Sequence, residues 1–330
     1  MEVALNGIRR TLELVPLDYI PLIGPEIGNI LIENAFGLKI KLPENPEQTP
    51  YWDEPLIASI DEIYSLKMPN PYEDELLTKS LERLRYLGSK AEGKIYLGGY
   101  DTGGPINVAL NLIDVKLFYI ALIENKEAMH DILNKITLTF LVYYSLIVDA
   151  AGGINKMGTI SFHMWAPEGH KGAVADDVCA NISPEMFNEF SRPYNSRIFS
   201  VYGPGAFHNC GPNPCASEYV KHAPPIKAIH LYYDYSKDEL ENLAEVFAHR
   251  VVLYMKWWNT DPPEKVFKEY RNVCNKFAPK SIVIPQYGLD DSKYSDNEIL
   301  EVYNELNKIS IEYTESLIWT KTGECYENKT

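Results

Sequence analysis

Residues 227–285 read KAIHLYYDYSKDELENLAEVFAHRVVLYMKWWNTDPPEKVFKEYRNVCNKFAPKSIVIP. Three short apolar runs punctuate this stretch: Lys227 to Tyr232, Arg250 to Met255 and Ser281 to Pro285. Each is strand length and largely continuous in apolar character, the pattern of a strand buried on both faces. Between them lie Glu239 to Ala248 and Pro263 to Phe277, whose apolar residues recur at helical spacing, and Asn297 to Ile309 follows as another helix. Strand–helix–strand alternation at this interval predicts parallel β/α units.

The same alternation extends toward the N-terminus. Lys94 to Gly99 and Thr159 to Phe162 read as strands, and Phe207 ends another. Ile106 to Lys116 and Lys126 to Ala150 read as helices, and Pro184 to Tyr202 begins as one. The expected fold is α/β: a single (β/α)8 TIM barrel over residues 1–330, with 1–75 as an irregular N-terminal part packed on the barrel. Leu42 to Tyr72 carries Pro43, Pro46, Pro50, Pro55, Pro69 and Pro71, which disfavour long helices and favour extended or turn backbone. The rival is a doubly wound open sheet, which usually carries a glycine-rich phosphate loop. Gly98-Gly99-Tyr100-Asp101-Thr102-Gly103-Gly104 is glycine-rich but matches neither common phosphate-loop pattern. A tight turn at a strand end is the better reading.

Acidic residues outnumber basic ones 46 to 31, a formal net charge of -15. Such a chain repels nucleic acid and anionic lipid at long range, so neither is expected as a partner. The start of the chain mixes Arg9 and Arg10 with Glu2, Glu13 and Asp18 and lacks a continuous apolar core for a targeting signal. Ile136 to Ala151, the most apolar stretch, is short for a span and contains Tyr143, Tyr144 and Asp149. A cytoplasmic location is the expectation. The five cysteines, Cys179, Cys210, Cys215, Cys274 and Cys325, form no disulfide framework by number or spacing.

Phe207-His208-Asn209-Cys210-Gly211 lies at a predicted strand end. Alternate residues of a strand face the same way, so the imidazole of His208 and the thiol of Cys210 can converge on one point. Zinc accepts that pair, and a catalytic zinc needs a third protein ligand and an open position. Cys215, beyond Gly211-Pro212-Asn213-Pro214, could fold back as that ligand. Taken alone, His-x-Cys is a common chance pair. Asp101, His163, Glu168, His170, His230, Asp234, Trp257, Trp258 and Tyr287 also fall at predicted strand C-termini, where barrel sites form. Each alone is more often structural; together they describe a polar pocket ringed by aromatics.

Three pieces together resemble the uroporphyrinogen decarboxylase superfamily between about Gly98 and Leu306. They are Gly104-Pro105-Ile106-Asn107-Val108-Ala109 before a helix; Asp177 through Asn181-Ile182-Ser183-Pro184-Glu185-Met186-Phe187, then Glu189-Phe190 and Pro193-Tyr194; and His208-x-Cys210-Gly211. The last is similar to the corrinoid-dependent methyltransferase branch, where this His and Cys bind zinc with a second cysteine near the C-terminus. Here Tyr287, in Ile284-Pro285-Gln286-Tyr287-Gly288, stands in that cysteine's place. The third ligand is therefore open among Cys215, Glu168, Tyr287 and water. The decarboxylases' N-terminal arginine motif is missing, since no arginine lies between Arg10 and Arg83. An acidic chain with eight arginines is also a poor host for a substrate with many carboxylates.

The resemblance implies methyl transfer between a corrinoid (cobalamin), carried by a small corrinoid-binding protein, and a small-molecule donor or acceptor. Zinc would assist it, and demethylation of a methyl ether or methylamine is one direction. The expected catalytic residues are Tyr287, Asp101 and His163. Substrate would lie against Tyr100, Trp165, His230, Asp234 and Trp257, and the metal on His208 and Cys210. A homodimer is compatible with this reading. Two alternatives stand beside it: decarboxylation of a small acid or a porphyrinogen, with Asp101 or Asp177 and His163 as acid and base, and a non-catalytic corrinoid or tetrapyrrole binder.

Overall fold

The computed structural model describes residues 5–15, 20–25, 28–44, 48–162, 164–278, 280–289 and 293–314, and the backbone of 2–4, 317–319 and 325–327. Seven parallel strands carry the molecule: β1 (Leu22–Ile23), β2 (Tyr96–Leu97), β3 (Ala173–Ala175), β4 (Ala206–Asn209), β5 (Ala228–Tyr232), β6 (Val252–Lys256) and β7 (Val283–Gln286). The last five form one sheet in the order β3-β4-β5-β6-β7, and β1 pairs with β2. Between the two groups runs the segment 157–161. It bridges β2 through Leu97–Met157 and continues alongside through Tyr100–Ser161, both parallel. Ile160 N–H then donates to Lys171 O just ahead of β3. The row thus holds eight parallel segments, the seven strands and 157–161; among the described residues no ladder joins β7 to β1.

The helices between strands are amphipathic and bury one face. Pro263–Phe277 starts with proline at its first turn, and Val266, Tyr270, Val273, Cys274 and Phe277 are buried against the sheet. Lys126–Ala150 is long and apolar enough to cross a membrane by length and composition. Its Ile132, Ile136, Phe140, Tyr143, Tyr144 and Ile147 are instead buried within the protein core. The expected helix from Ile106 is two, Pro105–Leu112 and Val115–Glu124, because Asp114 caps the second through Leu117 N–H.

The N-terminal part is less irregular than the proline density suggests. Glu2–Leu14, Leu31–Ala35 and Ile60–Ser65 are helical within it, and Glu75–Ala91 follows. Ser59 and Glu62 form a capping box that starts Ile60–Ser65 despite the prolines around it.

The glycine run serves packing. A Cβ on Gly99 would lie 1.7 Å from Ile160 O, and one on Gly104 2.5 Å from Val174 Cγ1. The backbone here approaches its neighbours closer than any side chain permits.

Candidate functional site

Three ligand-type side chains meet at the carboxyl ends of β3 and β4. The Asp177 carboxylate, the His208 imidazole and the Cys210 thiol each place a ligand atom within 4.8 Å of the others. Ala175 pairs with His208 across the two strands. Two residues on, Asp177 Oδ1 accepts from the Cys210 N–H at 2.8 Å. Cys210 Sγ is 3.3 Å from His208 Nε2, and Asp177 Oδ1 is 3.6 Å from the same nitrogen. Asn107 Nδ2–H holds Asp177 Oδ2 at 3.2 Å, while its Oδ1 accepts from Val178 N–H. The glycine–proline segment before the helix 105–112 and the acidic start of the 177–194 motif thus meet on one carboxylate.

Behind His208 runs a chain of hydrogen bonds. His208 Nδ1 lies 3.0 Å from His230 O and 2.7 Å from His230 Nδ1, and His230 Nε2 lies 2.6 Å from Gln286 Oε1. This chain assigns the tautomers: His230 Nε2–H donates to Gln286, and His208 Nδ1–H donates toward His230. His208 Nε2 then keeps its lone pair, facing Asp177 and Cys210. Burial lowers the pKa of His208 against the pull of Asp177, and burial with the neighbouring His208 lowers that of His230 further. Both rings are neutral at pH 7, the state a metal ligand requires.

Burial, and then Asp177, push the Cys210 thiol well above its ordinary range. Ionising it would place a thiolate beside a carboxylate, which a divalent cation between them would offset. Oxygen, nitrogen and sulfur donors in one cluster, with a neutral imidazole and an outer chain that fixes its ring, fit zinc.

Register places a second layer at the carboxyl ends of the strands. Tyr232, Lys256 and Gln286 pair across β5, β6 and β7, and Cys210 falls alongside Tyr232 one residue beyond the Asn209–Leu231 pair. The Lys256 ammonium sits 4.9 Å from the Tyr232 ring centre, and the Trp258 ring lies 4.6 Å from it, tilted by 36°. Phe162, in a left-handed conformation (φ 65°) after segment 157–161, meets His208 edge-on at 5.5 Å. Asp101 is near enough for its charge to act on His208 and Cys210.

Several expected site residues lie elsewhere. Tyr287 is not with the triad: its hydroxyl donates to Asp261 O, and burial raises its pKa to about 12. Strand parity explains this. Ile284 and Gln286 share a face with Tyr254 and Lys256, so Tyr287 turns the other way. Trp257 follows the same rule; it is buried under the helix 263–277, donates to Glu269 Oε2 at 2.9 Å, and leaves Trp258 to face the mouth. Cys215 is fully buried and donates to Cys179 O and Ile182 O. Glu168 accepts from Asn155 at 2.9 Å. Asp234 pairs with Lys265 and Lys237 at 3.5 and 3.7 Å. The Tyr100 side chain is buried against the helix 75–91 beside Ser80 and Arg83. His230 supports His208 from behind and does not line the mouth. Trp165 is half-buried in the loop after 157–161, and His163 lies outside the described residues.

Asp177 as a ligand, and Lys256 and Gln286 as site residues, were not expected from the sequence. Alternation could have found them. In Ala173-Val174-Ala175-Asp176-Asp177 the second acid continues the inward phase of Ala175, and Lys256 is the one cation on the inward phase of Val252-Leu253-Tyr254-Met255-Lys256.

The uroporphyrinogen decarboxylase (URO-D) family model matches residues 27–161. That match begins upstream of the Gly98-to-Leu306 region where the resemblance was expected. A methyltransferase from Methanosarcina mazei has a similar structure, with a TM-score of 0.68 at 18% identity over 94% of this chain and 85% of that one. A B12-independent methionine synthase from Shewanella sp. W3-18-1 aligns with a TM-score of 0.44 at 13% identity, over 71% of this chain and 66% of that one. No curated protein matches the sequence. The family match thus covers the N-terminal part of the chain through segment 157–161, and the methyltransferase shares the fold.

Proposed function

We propose that this chain is a metal-assisted methyltransferase, moving a methyl group between a corrinoid held by a small partner protein and a small methylated molecule. The observation that carries this reading is the Asp177–His208–Cys210 cluster, whose ligand atoms lie within 4.8 Å of one another at the strand carboxyl ends. Zinc held there would act as a Lewis acid on the heteroatom that gives up or receives the methyl group. The methyltransferase of the same fold supports the reaction class. The eight parallel segments are best understood as the wall of a closed (β/α)8 barrel, which puts the cluster at the face where such barrels carry their sites.

The residues divide the work. His208 supplies a neutral nitrogen, held in one orientation by His230 and Gln286. Cys210 supplies a thiol whose proton must leave before it can ligate, and Asp177 supplies a carboxylate fixed by Asn107. One thiolate in place of two leaves the site more electrophilic, which suits an oxygen-bearing donor such as an aryl methyl ether. Tyr232 and Trp258 offer ring faces for such a substrate.

The test is spectroscopic. Zinc-loaded protein, a methoxyarene and photochemically reduced cob(I)alamin should yield methylcobalamin, followed by its absorbance; zinc-free protein and Cys210→Ser should yield none. Failure of the zinc-loaded protein to form methylcobalamin from any methoxyarene, thioether or methylamine, and to methylate a thiol in reverse, would overturn the proposal.

A further inference from the structure

Lys256 is the cation of the inner face. It ends β6 at the same level as Tyr232 and Gln286, half-buried, with its ammonium 4.9 Å from the Tyr232 ring centre. Its charge reaches His208, Cys210 and His230. Among the described residues no carboxylate pairs with it, although other lysines do find acids: Lys265 meets Asp261 at 2.7 Å and Lys126 meets Glu189 at 2.7 Å. An ammonium half-buried against a ring face, with no acid paired to it among the described residues, has unused hydrogen-bonding capacity. Beyond it the wall is aromatic: Trp258 packs against Tyr232 at a tilt and is 37% exposed, and Tyr235 follows at 6.3 Å from Trp258.

We propose that Lys256 anchors an anionic substrate, and that the substrate is a small aromatic carboxylate whose ring lies against Tyr232 and Trp258. The proposal builds on methyl transfer in one respect only: the methyl group would sit on a ring oxygen directed at the Asp177–His208–Cys210 cluster. The chain's net charge of -15 works against anions at long range, so an anion's affinity must come from a local cation. A divalent metal with Lys256 would balance Asp177, Asp101 and an ionised Cys210, which leaves the mouth without net repulsion. A charge-assisted contact at the mouth should favour the carboxylate over a neutral analogue by roughly 10- to 100-fold.

The experiment is calorimetric titration of the zinc-loaded full chain with 3-methoxybenzoate and with its methyl ester, which has the same ring and no charge. The acid should bind roughly 10- to 100-fold tighter than the ester. Lys256→Met should abolish that preference, and Lys256→Arg should keep most of it, with zinc content unchanged in both. Equal binding of acid and ester by the wild type would overturn the proposal, as would a preference that survives in Lys256→Met, since the carboxylate would then rest on the metal. Tight, Lys256-dependent binding without methyl exchange would leave the anchor standing and count against methyl transfer instead.

Discussion

At the scale of single residues, the cluster makes separable demands. Asp177→Asn and Cys210→Ser should each lower the zinc bound after dialysis against a weak chelator, measured by elemental analysis, while Tyr287→Phe should leave it unchanged. Equal zinc in Cys210→Ser and wild type would remove the thiol from the site. Gln286→Leu breaks the chain that orients His230 and His208, so zinc affinity should fall by roughly 10- to 100-fold with the ligands intact. Because burial and Asp177 hold the Cys210 proton on, zinc must displace it. His208 is already neutral above its lowered pKa and releases none. Affinity should therefore rise about tenfold per pH unit between pH 6.5 and 8, read by competition with a chromophoric chelator. A flat profile would contradict thiolate ligation. His208 and Cys210 were legible because strand alternation needs no knowledge of the fold. Tyr287 and Trp257 were misread by one residue of phase, and in a strand that error turns a side chain to the opposite face. Asp177 shares the phase of Ala175, which alternation shows, but its nearness to His208 and Cys210 depends on the register between the two strands, which the sequence does not show.

At the scale of elements, close approach between neighbouring segments is the constraint. A methyl group at Gly99 meets the Ile160 carbonyl, and neither backbone can yield without breaking the bridge from β2 to segment 157–161. Gly99→Ala should cost about 2–3 kcal/mol or more, seen as a lower urea midpoint at unchanged slope. A wild-type midpoint would mean that the two segments part easily. The long helices Lys126–Ala150 and Pro263–Phe277 were readable to the residue, since many apolar positions repeat at one period. The strands β1 and β3 were not: two or three residues carry no period, and Ala173-Val174-Ala175 is too small to stand out as a core run.

At the scale of the molecule, buried acids couple stability to pH. Burial raises Glu33 from 4.5 to about 7, with Asn111 its hydrogen-bond partner at 2.8 Å, and Asp176 from 3.8 to about 7. A carboxyl whose folded pKa lies above its unfolded one binds more protons when folded. Its contribution is full below the unfolded pKa and is lost as pH rises toward about 7. The buried histidines run the opposite way: His222 is lowered to about 4, so its stabilising share is lost as pH falls from 6.5 toward 4. The whole profile sums these opposing slopes, so the difference between wild type and Glu33→Gln is the quantity to read. The variant should gain stability relative to wild type between pH 5 and 8 in denaturant titrations. A constant difference would mean that Glu33 ionises in place as it does in water. The α/β class and the parallel order were legible in the alternation of short apolar runs and amphipathic helices. The helix Ile60–Ser65 was not, because the prolines on either side hid the capping box that starts it.

One carboxylate, one imidazole and one thiolate would hold a zinc ion at the strand ends. Zinc K-edge X-ray absorption on the zinc-loaded full chain reads that ligand set directly. One sulfur scatterer at about 2.3 Å with nitrogen and oxygen scatterers at about 2.0–2.1 Å is the expected result, and the sulfur should vanish in Cys210→Ser. A first shell of nitrogen and oxygen alone, or one with two sulfurs, would contradict the assignment of Asp177, His208 and Cys210.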